Sequence, residues 1–176
     1  IFSFLLLIVY SRFTIYKSYV IQKGLLTDFN TGSKLVTLSN IESSFINYNF
    51  PNLGATGLPV KTQVSRYYFK EGDFKMAFKL LDSSRNESPY SRFNEAQYAD
   101  YYFQLGKNDS AVYYSKIAFE GIPNNLLHFR LYLKSLASEG DIKGIIKAFE
   151  RIKDNEIYYF WESFLGAMYQ FREEYD

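Results

Sequence analysis

At 176 residues and 20.7 kDa the chain has room for one ordinary folded core and little more. With 47% hydrophobic and 20% aromatic residues it is too apolar for a disordered chain, and 22% charged residues suffice for a wetted surface. The 20 basic against 19 acidic residues exclude a global field that would gather nucleic acid, and the lack of cysteine excludes disulfides, thiolate metal sites and cysteine nucleophiles.

The chain begins IFSFLLLIVY, and no charge appears before Arg12. A membrane-spanning helix takes about 20 mostly apolar residues, so residues 1–23 read as the end of such a helix, truncated here and begun upstream of Ile1. A signal-peptide core would carry its charge before the apolar run and a small-residue cleavage site after it, whereas SRFTIYKSYVIQK follows. A buried soluble helix is the remaining alternative, disfavoured by the unbroken apolarity on every face. Arg12, Lys17 and Lys23, with no acid before Asp28, fit a cytoplasmic flank. Membrane contact is therefore expected through this segment, with the rest of the chain on the cytoplasmic side.

Residues 24–57 read as a degenerate helix and a linker. TGSKLVTLSNIESSFINYNFP carries a glycine, then Leu35, Leu38, Ile41 and Phe45 on one helical face, then the closing Pro51. NLGATG has two glycines but neither the lysine nor the preceding strand of a phosphate loop, and reads as a turn.

From residue 58 onward the chain repeats itself. Gly72, Gly106 and Gly140 are each 34 residues apart, and Pro89 and Pro123, Ala77 and Ala111, and Tyr68 and Tyr102 keep the same spacing. A first helix is predicted over 60–70, stopped at Gly72, with a second over 74–84 that ends before Pro89. The next unit places Tyr98, Tyr101, Tyr102 and Leu105 before Gly106, and Ala111, Tyr114 and Ala118 after it. EGDI supplies the same stop at Gly140. FLGAMYQFREEYD then opens another first helix, with Leu165, Gly166 and Tyr169 in phase and EEYD at the expected turn.

This period, with its glycine, alanine and proline in one phase, resembles the tetratricopeptide repeat, a helix-turn-helix of about 34 residues. The resemblance covers about 120 of the 176 residues and implies an all-α antiparallel helix-pair solenoid over 58–176, with units 58–91, 92–125, 126–158 and a partial 159–176. In that family small residues stand where paired helices touch; the matching residues are Ser65 and Ala99 in first helices and Ala77, Ser84, Ala111 and Ala118 in second helices. The third unit departs from the pattern, with Leu133, Ile145 and Ile152 at its small positions, which implies a wider helix pair.

The resemblance also implies a concave groove lined by the first helices, which grips a partner's peptide segment. Its positions here are Thr62, Arg66, Phe69 and Lys70, then Phe93, Gln97, Asp100, Phe103 and Gln104, then Leu127, Arg130, Lys134 and Ala137. Where chaperone-binding members hold a carboxylate clamp, this chain has Thr62, Arg66, Gln97, Leu127 and Leu131, so that clamp is not expected.

No catalytic constellation emerges. His128, the only histidine, sits at a helix start and is expected to be partly exposed, and Glu173 and Glu174 are adjacent rather than paired across a site. The 17 tyrosines and 17 phenylalanines follow helical phasing and read as packing. Neither cofactor, metal nor nucleic acid is expected. Two functions remain. One is a membrane-tethered scaffold that binds a protein or peptide partner in the groove. In the other, IPNNLLHFRLY and FWESFLGAMYQF after an apolar span look like the repeat tails of bacterial O-antigen ligase or polymerase-like proteins, which implies an inner-membrane enzyme whose glycan-transferring site lies upstream of Ile1.

Overall fold

The structure, a computed structural model, describes residues 2–43, 52–54, 56–153 and 157–174. Among these residues every regular element is helical: α1 (Phe2–Thr31), α2 (Leu38–Ser43), α3 (Val60–Lys70), α4 (Phe74–Ser83), α5 (Phe93–Gln104), α6 (Asn108–Gly121), α7 (Leu126–Ser138), α8 (Ile142–Glu150) and α9 (Tyr158–Met168). Short 3-10 turns at Pro89–Ser91 and Tyr169–Glu174 precede α5 and follow α9. The chain divides into two compact units, Ile1–Ser88 and Pro89–Asp176. That division falls inside the stretch 58–176 that the sequence reads as one array.

The three glycines spaced by 34 residues share one geometry. Gly72, Gly106 and Gly140 have φ of 84°, 69° and 72°, a left-handed conformation that only glycine adopts without strain. At each, the glycine N–H donates to the carbonyl three residues back and the next N–H to the one five back: Asp73 to Tyr68 at 2.9 Å, Lys107 to Tyr102 at 2.8 Å, Asp141 to Leu136 at 3.0 Å. This doubly bonded stop satisfies carbonyls that a helix end leaves open. Asp73 and Asp141 then cap the following helices, accepting from the Met76 and Gly144 N–H groups.

In the first unit α1 continues without a break past Lys23 and Gly24 to Thr31, so the boundary read between 23 and 24 is not a structural one. Side chains from Phe4 to Val20 are exposed around the helix, whereas Ser18, Leu25 and Asp28 are buried where α1 meets the rest of the unit. Among the described residues one helix, Ser3–Thr31, is long and apolar enough to cross a membrane. The end of α1 is clasped by its own aspartate. Asp28 accepts from Ser33 Oγ at 2.8 Å, the Leu35 and Val36 N–H groups at 2.8 and 3.0 Å, and Tyr67 Oη at 2.9 Å. Tyr68 next door donates to Glu42 at 3.1 Å, so adjacent tyrosines of α3 hold α1 and α2.

The helical face expected for Leu35, Leu38, Ile41 and Phe45 is only partly present. Ile41 is buried in α2 and Leu38 begins that helix, but Leu35 lies before it in the loop and is 65% exposed. Phe45 and Pro51 lie outside the described residues. The expected linker is a folded turn: Gly54 N–H donates to the Leu58 carbonyl and Val60 N–H to the Asn52 carbonyl, closing Leu53 against Pro59. Val60, Val64, Tyr68, Ala77 and Leu81 make the core between α3 and α4.

In the second unit α5 pairs with α6 and α7 with α8, while α7 also packs on α5 and α9. The small residues are where close approach needs them. Ala99, Ala111 and Ala118 are almost wholly buried between α5 and α6, as Ser65, Ala77 and Ser84 are between α3 and α4. Leu133, Ile145 and Ile152 are also buried, and α7 meets α8 over a shorter stretch than α5 meets α6, since branched side chains hold backbones apart. The core is rich in rings: Phe119, Phe129, Phe149 and Phe160 pack together, with Phe149 stacked 4.4 Å from Phe164 and edge-on to Trp161. α9 buries Phe160 and Ala167, leaving Leu165 and Tyr169 exposed and Gly166 with open space beside it. A 3-10 segment runs over Tyr169–Glu174, and the last two residues of EEYD lie outside the described residues.

Candidate functional site

The groove positions do not share one environment. Phe69, Phe93 and Gln97 are buried, at 7%, 4% and 6% exposure, as are Thr62 and Ala137. They belong to the core rather than to an open surface. Phe69 packs at a tilt 4.9 Å from Phe74 at the start of the next helix, and Gln97 donates toward Asp100 at 3.4 Å. Arg66 is half-buried, with its guanidinium 4.4 Å over the Phe29 ring, so it holds α1 to α3. Lys70 is exposed at the end of α3.

The remaining positions lie in the second unit, where the first helices of successive pairs, α5, α7 and α9, stand side by side. On α5, Gln104 Nε2 donates to Asp100 Oδ2 at 2.9 Å, which fixes the carboxylate one turn back. The Lys134 ammonium of α7 lies 3.7 Å over the Phe103 ring, a cation-π contact that turns the half-buried ring and its charge to the same surface. Arg130, one turn earlier, donates from Nε to Ser163 Oγ at 2.9 Å and lies 3.5 Å from Glu162. Arg130, Lys134, Glu162 and Ser163 border a cavity of about 220 Å³ that Leu133, Ala167 and Gln170 also line.

Of the residues around this cavity, Leu133, Glu162, Ser163, Ala167 and Gln170 were not among the groove candidates. Ser163, Ala167 and Gln170 stand at the same offsets from Tyr159 as Arg130, Lys134 and Ala137 do from Leu126. Continuing the repeat register into the fourth unit would have found them. Glu162 is one residue off that register and follows only from the Arg130 contact.

His128 differs from its expected exposure. It is 1% exposed in the first turn of α7, which Asn125 caps through the His128 N–H, so the helix start itself is packed into the core. Burial pushes the imidazole down to about 4, opposed by its hydrogen bond to the Ala118 carbonyl, and Nδ1 has no partner. The ring is neutral near pH 7. Tyr132, beside the cavity of α6 to α8, is pushed up by burial and by Glu120, so it stays a neutral phenol. Among the described residues no three His, Asp or Glu side chains stand together as a metal site would require.

The surface of α5, α7 and α9 can therefore offer shape, one aromatic face and charges of both signs to a ligand. Comparison with known proteins finds no matching family model, no matching curated protein and no matching solved structure.

Proposed function

We propose that the chain is a membrane-tethered interaction module, in which α1 is the end of an inner-membrane helix and a tetratricopeptide-like array on the cytoplasmic side holds a partner segment. The observation that carries this reading is the surface of α5, α7 and α9, where Arg130 and Lys134 line a cavity and the Lys134 ammonium lies over Phe103, on the same helix as the Asp100 and Gln104 pair. Lys134 has no carboxylate within ion-pair distance among the described residues, so no internal acid neutralises its charge. Exposed pairs such as Arg130 and Glu162 add little to stability, which leaves them available for recognition. The exposed apolar side chains from Phe4 to Tyr10, on all sides of α1, support the tether.

A photo-crosslinking residue at Gln104 or Lys134 of the full chain in native membranes tests this. The same adduct should form from both positions, be absent from Lys143 on α8, and disappear with Arg130→Glu. An adduct that forms equally from Lys143, or that ignores Arg130→Glu, would refute the groove.

A further inference from the structure

Helix α9 rests on α7 and α8, with Phe160 and Ala167 buried beneath it. Two further attachments fix its rotation. Trp161 stands edge-on to Phe149 of α8 at 4.7 Å, and Arg130 of α7 donates to Ser163 and lies 3.5 Å from Glu162. Beside these attachments Tyr158, Trp161, Leu165 and Tyr169 follow one another at intervals of three and four residues, so they share one stripe that runs along α9 into the turn after it. The stripe is open to solvent. Tyr158 is 69% exposed, Leu165 57% and Tyr169 63%, and Ile157 and Trp161 are each nearly half exposed.

Two features mark this stripe as an interface rather than a wetted surface. The first is its area. A whole aromatic side chain covers about 150–250 Å², so these exposed fractions amount to roughly 600 Å² per copy, more than scattered surface residues supply. Two such stripes face to face remove about 1,200 Å² from water, the size at which specific protein interfaces begin. The second is composition. From Ile157 to Tyr169 the one charged residue is Glu162, and tyrosine and tryptophan, which enrich interface centres, supply most of the stripe. An uncharged stripe meets its own copy without like-charge repulsion. No lysine or arginine lies between Lys153 and Arg172, so the stripe has no cation with which to hold an anionic bilayer surface.

We propose that this stripe pairs two copies of the chain, α9 against α9 of the second copy, about a two-fold axis. The pairing is antiparallel, which opposes the two helix dipoles and sets the axis between Trp161 and Leu165. Trp161 of each copy then lies against Leu165 of the other, a large side chain opposite a smaller one, and Tyr158 lies against Tyr169. Glu162, at the edge of the stripe, is already paired with Arg130, so the two copies bring no uncompensated acids together. This pairing depends neither on a ligand in the groove nor on the membrane reading of α1.

The chain has no cysteine, so a single introduced one reports a single contact. In the test, the full chain in native membranes is treated with a short bismaleimide. Leu165→Cys should give a product of twice the chain mass, and Lys143→Cys on α8 should give none. Tyr158→Cys should give none alone but a dimer when co-expressed with Tyr169→Cys. Sedimentation of the purified full chain in detergent should show a monomer to dimer equilibrium that Leu165→Glu, with helix content unchanged by circular dichroism, weakens at least about tenfold. A Leu165→Cys chain that stays monomeric, or that joins a protein of another mass, overturns the pairing of copies. Equal self-linking by Tyr158→Cys overturns the antiparallel arrangement, and a dimer that survives Leu165→Glu overturns the stripe as its seat.

Discussion

His128 makes acid sensitivity a property of one buried ring. In the unfolded chain the imidazole titrates near its ordinary value of 6.5, and in the folded protein burial lowers this to about 4. Above pH 6.5 the ring is neutral in both states and contributes no pH dependence. Between 6.5 and about 4 the unfolded chain binds a proton that the folded chain refuses, so stability falls as pH falls, and below about 4 the loss is complete. The gap of roughly 2.5 units at 1.36 kcal/mol each comes to about 3 kcal/mol. His128→Leu removes the titration and the partnerless Nδ1 while losing the hydrogen bond to the Ala118 carbonyl, a net change of about 1 kcal/mol or less at pH 7. Urea unfolding of both proteins can be followed by Trp161, the only tryptophan, whose ring packs 4.7 Å from Phe149 in the same core. Carboxylates that titrate in this range act equally in both proteins and cancel in the difference. Relative to the wild type, the leucine variant should gain about 3 kcal/mol between pH 7 and pH 4. A difference that stays constant over that range would show that His128 is not buried as a neutral ring.

Other substitutions test other parts of the fold. Ala111 is fully buried where α5 touches α6, so Ala111→Leu should overfill the contact and cost about 1–3 kcal/mol in thermal or urea unfolding. Gly106 has open space beside it but a φ of 69°, so Gly106→Ala should cost about 1–2 kcal/mol through conformation alone. Gly166, in the middle of α9 and also in open space, should respond in the opposite direction, with Gly166→Ala gaining about 0.5–1 kcal/mol. Lys61 meets Glu87 at 2.7 Å with both side chains 13% exposed, and Glu87 Oε2 already lacks a partner; Lys61→Met should therefore cost about 1–3 kcal/mol, more than an exposed pair would.

Much of the secondary structure is legible in the chain itself because its signals are local. A glycine that must be left-handed and an aspartate at the next cap each act within a few residues of themselves, and α3 spans the predicted 60–70. The continuous apolarity of the first residues is local in the same way, and it recurs as a helix exposed on all sides. What tertiary structure alone decides is which side of each helix stays wet. Phe69, Phe93 and Gln97 occupy the same phase as Lys70, Phe103 and Gln104, yet are buried because a neighbouring element covers that part of the helix. His128 is buried because the first turn of α7 packs into the core, a fact about where α6 ends and not about the residues around the histidine. The Asp28 clasp joins residues up to 39 positions apart, from Asp28 to Tyr67, and no periodicity announces it. A helix pattern records which residues can share a face; only the packing of the other elements determines whether that face meets protein, lipid or water.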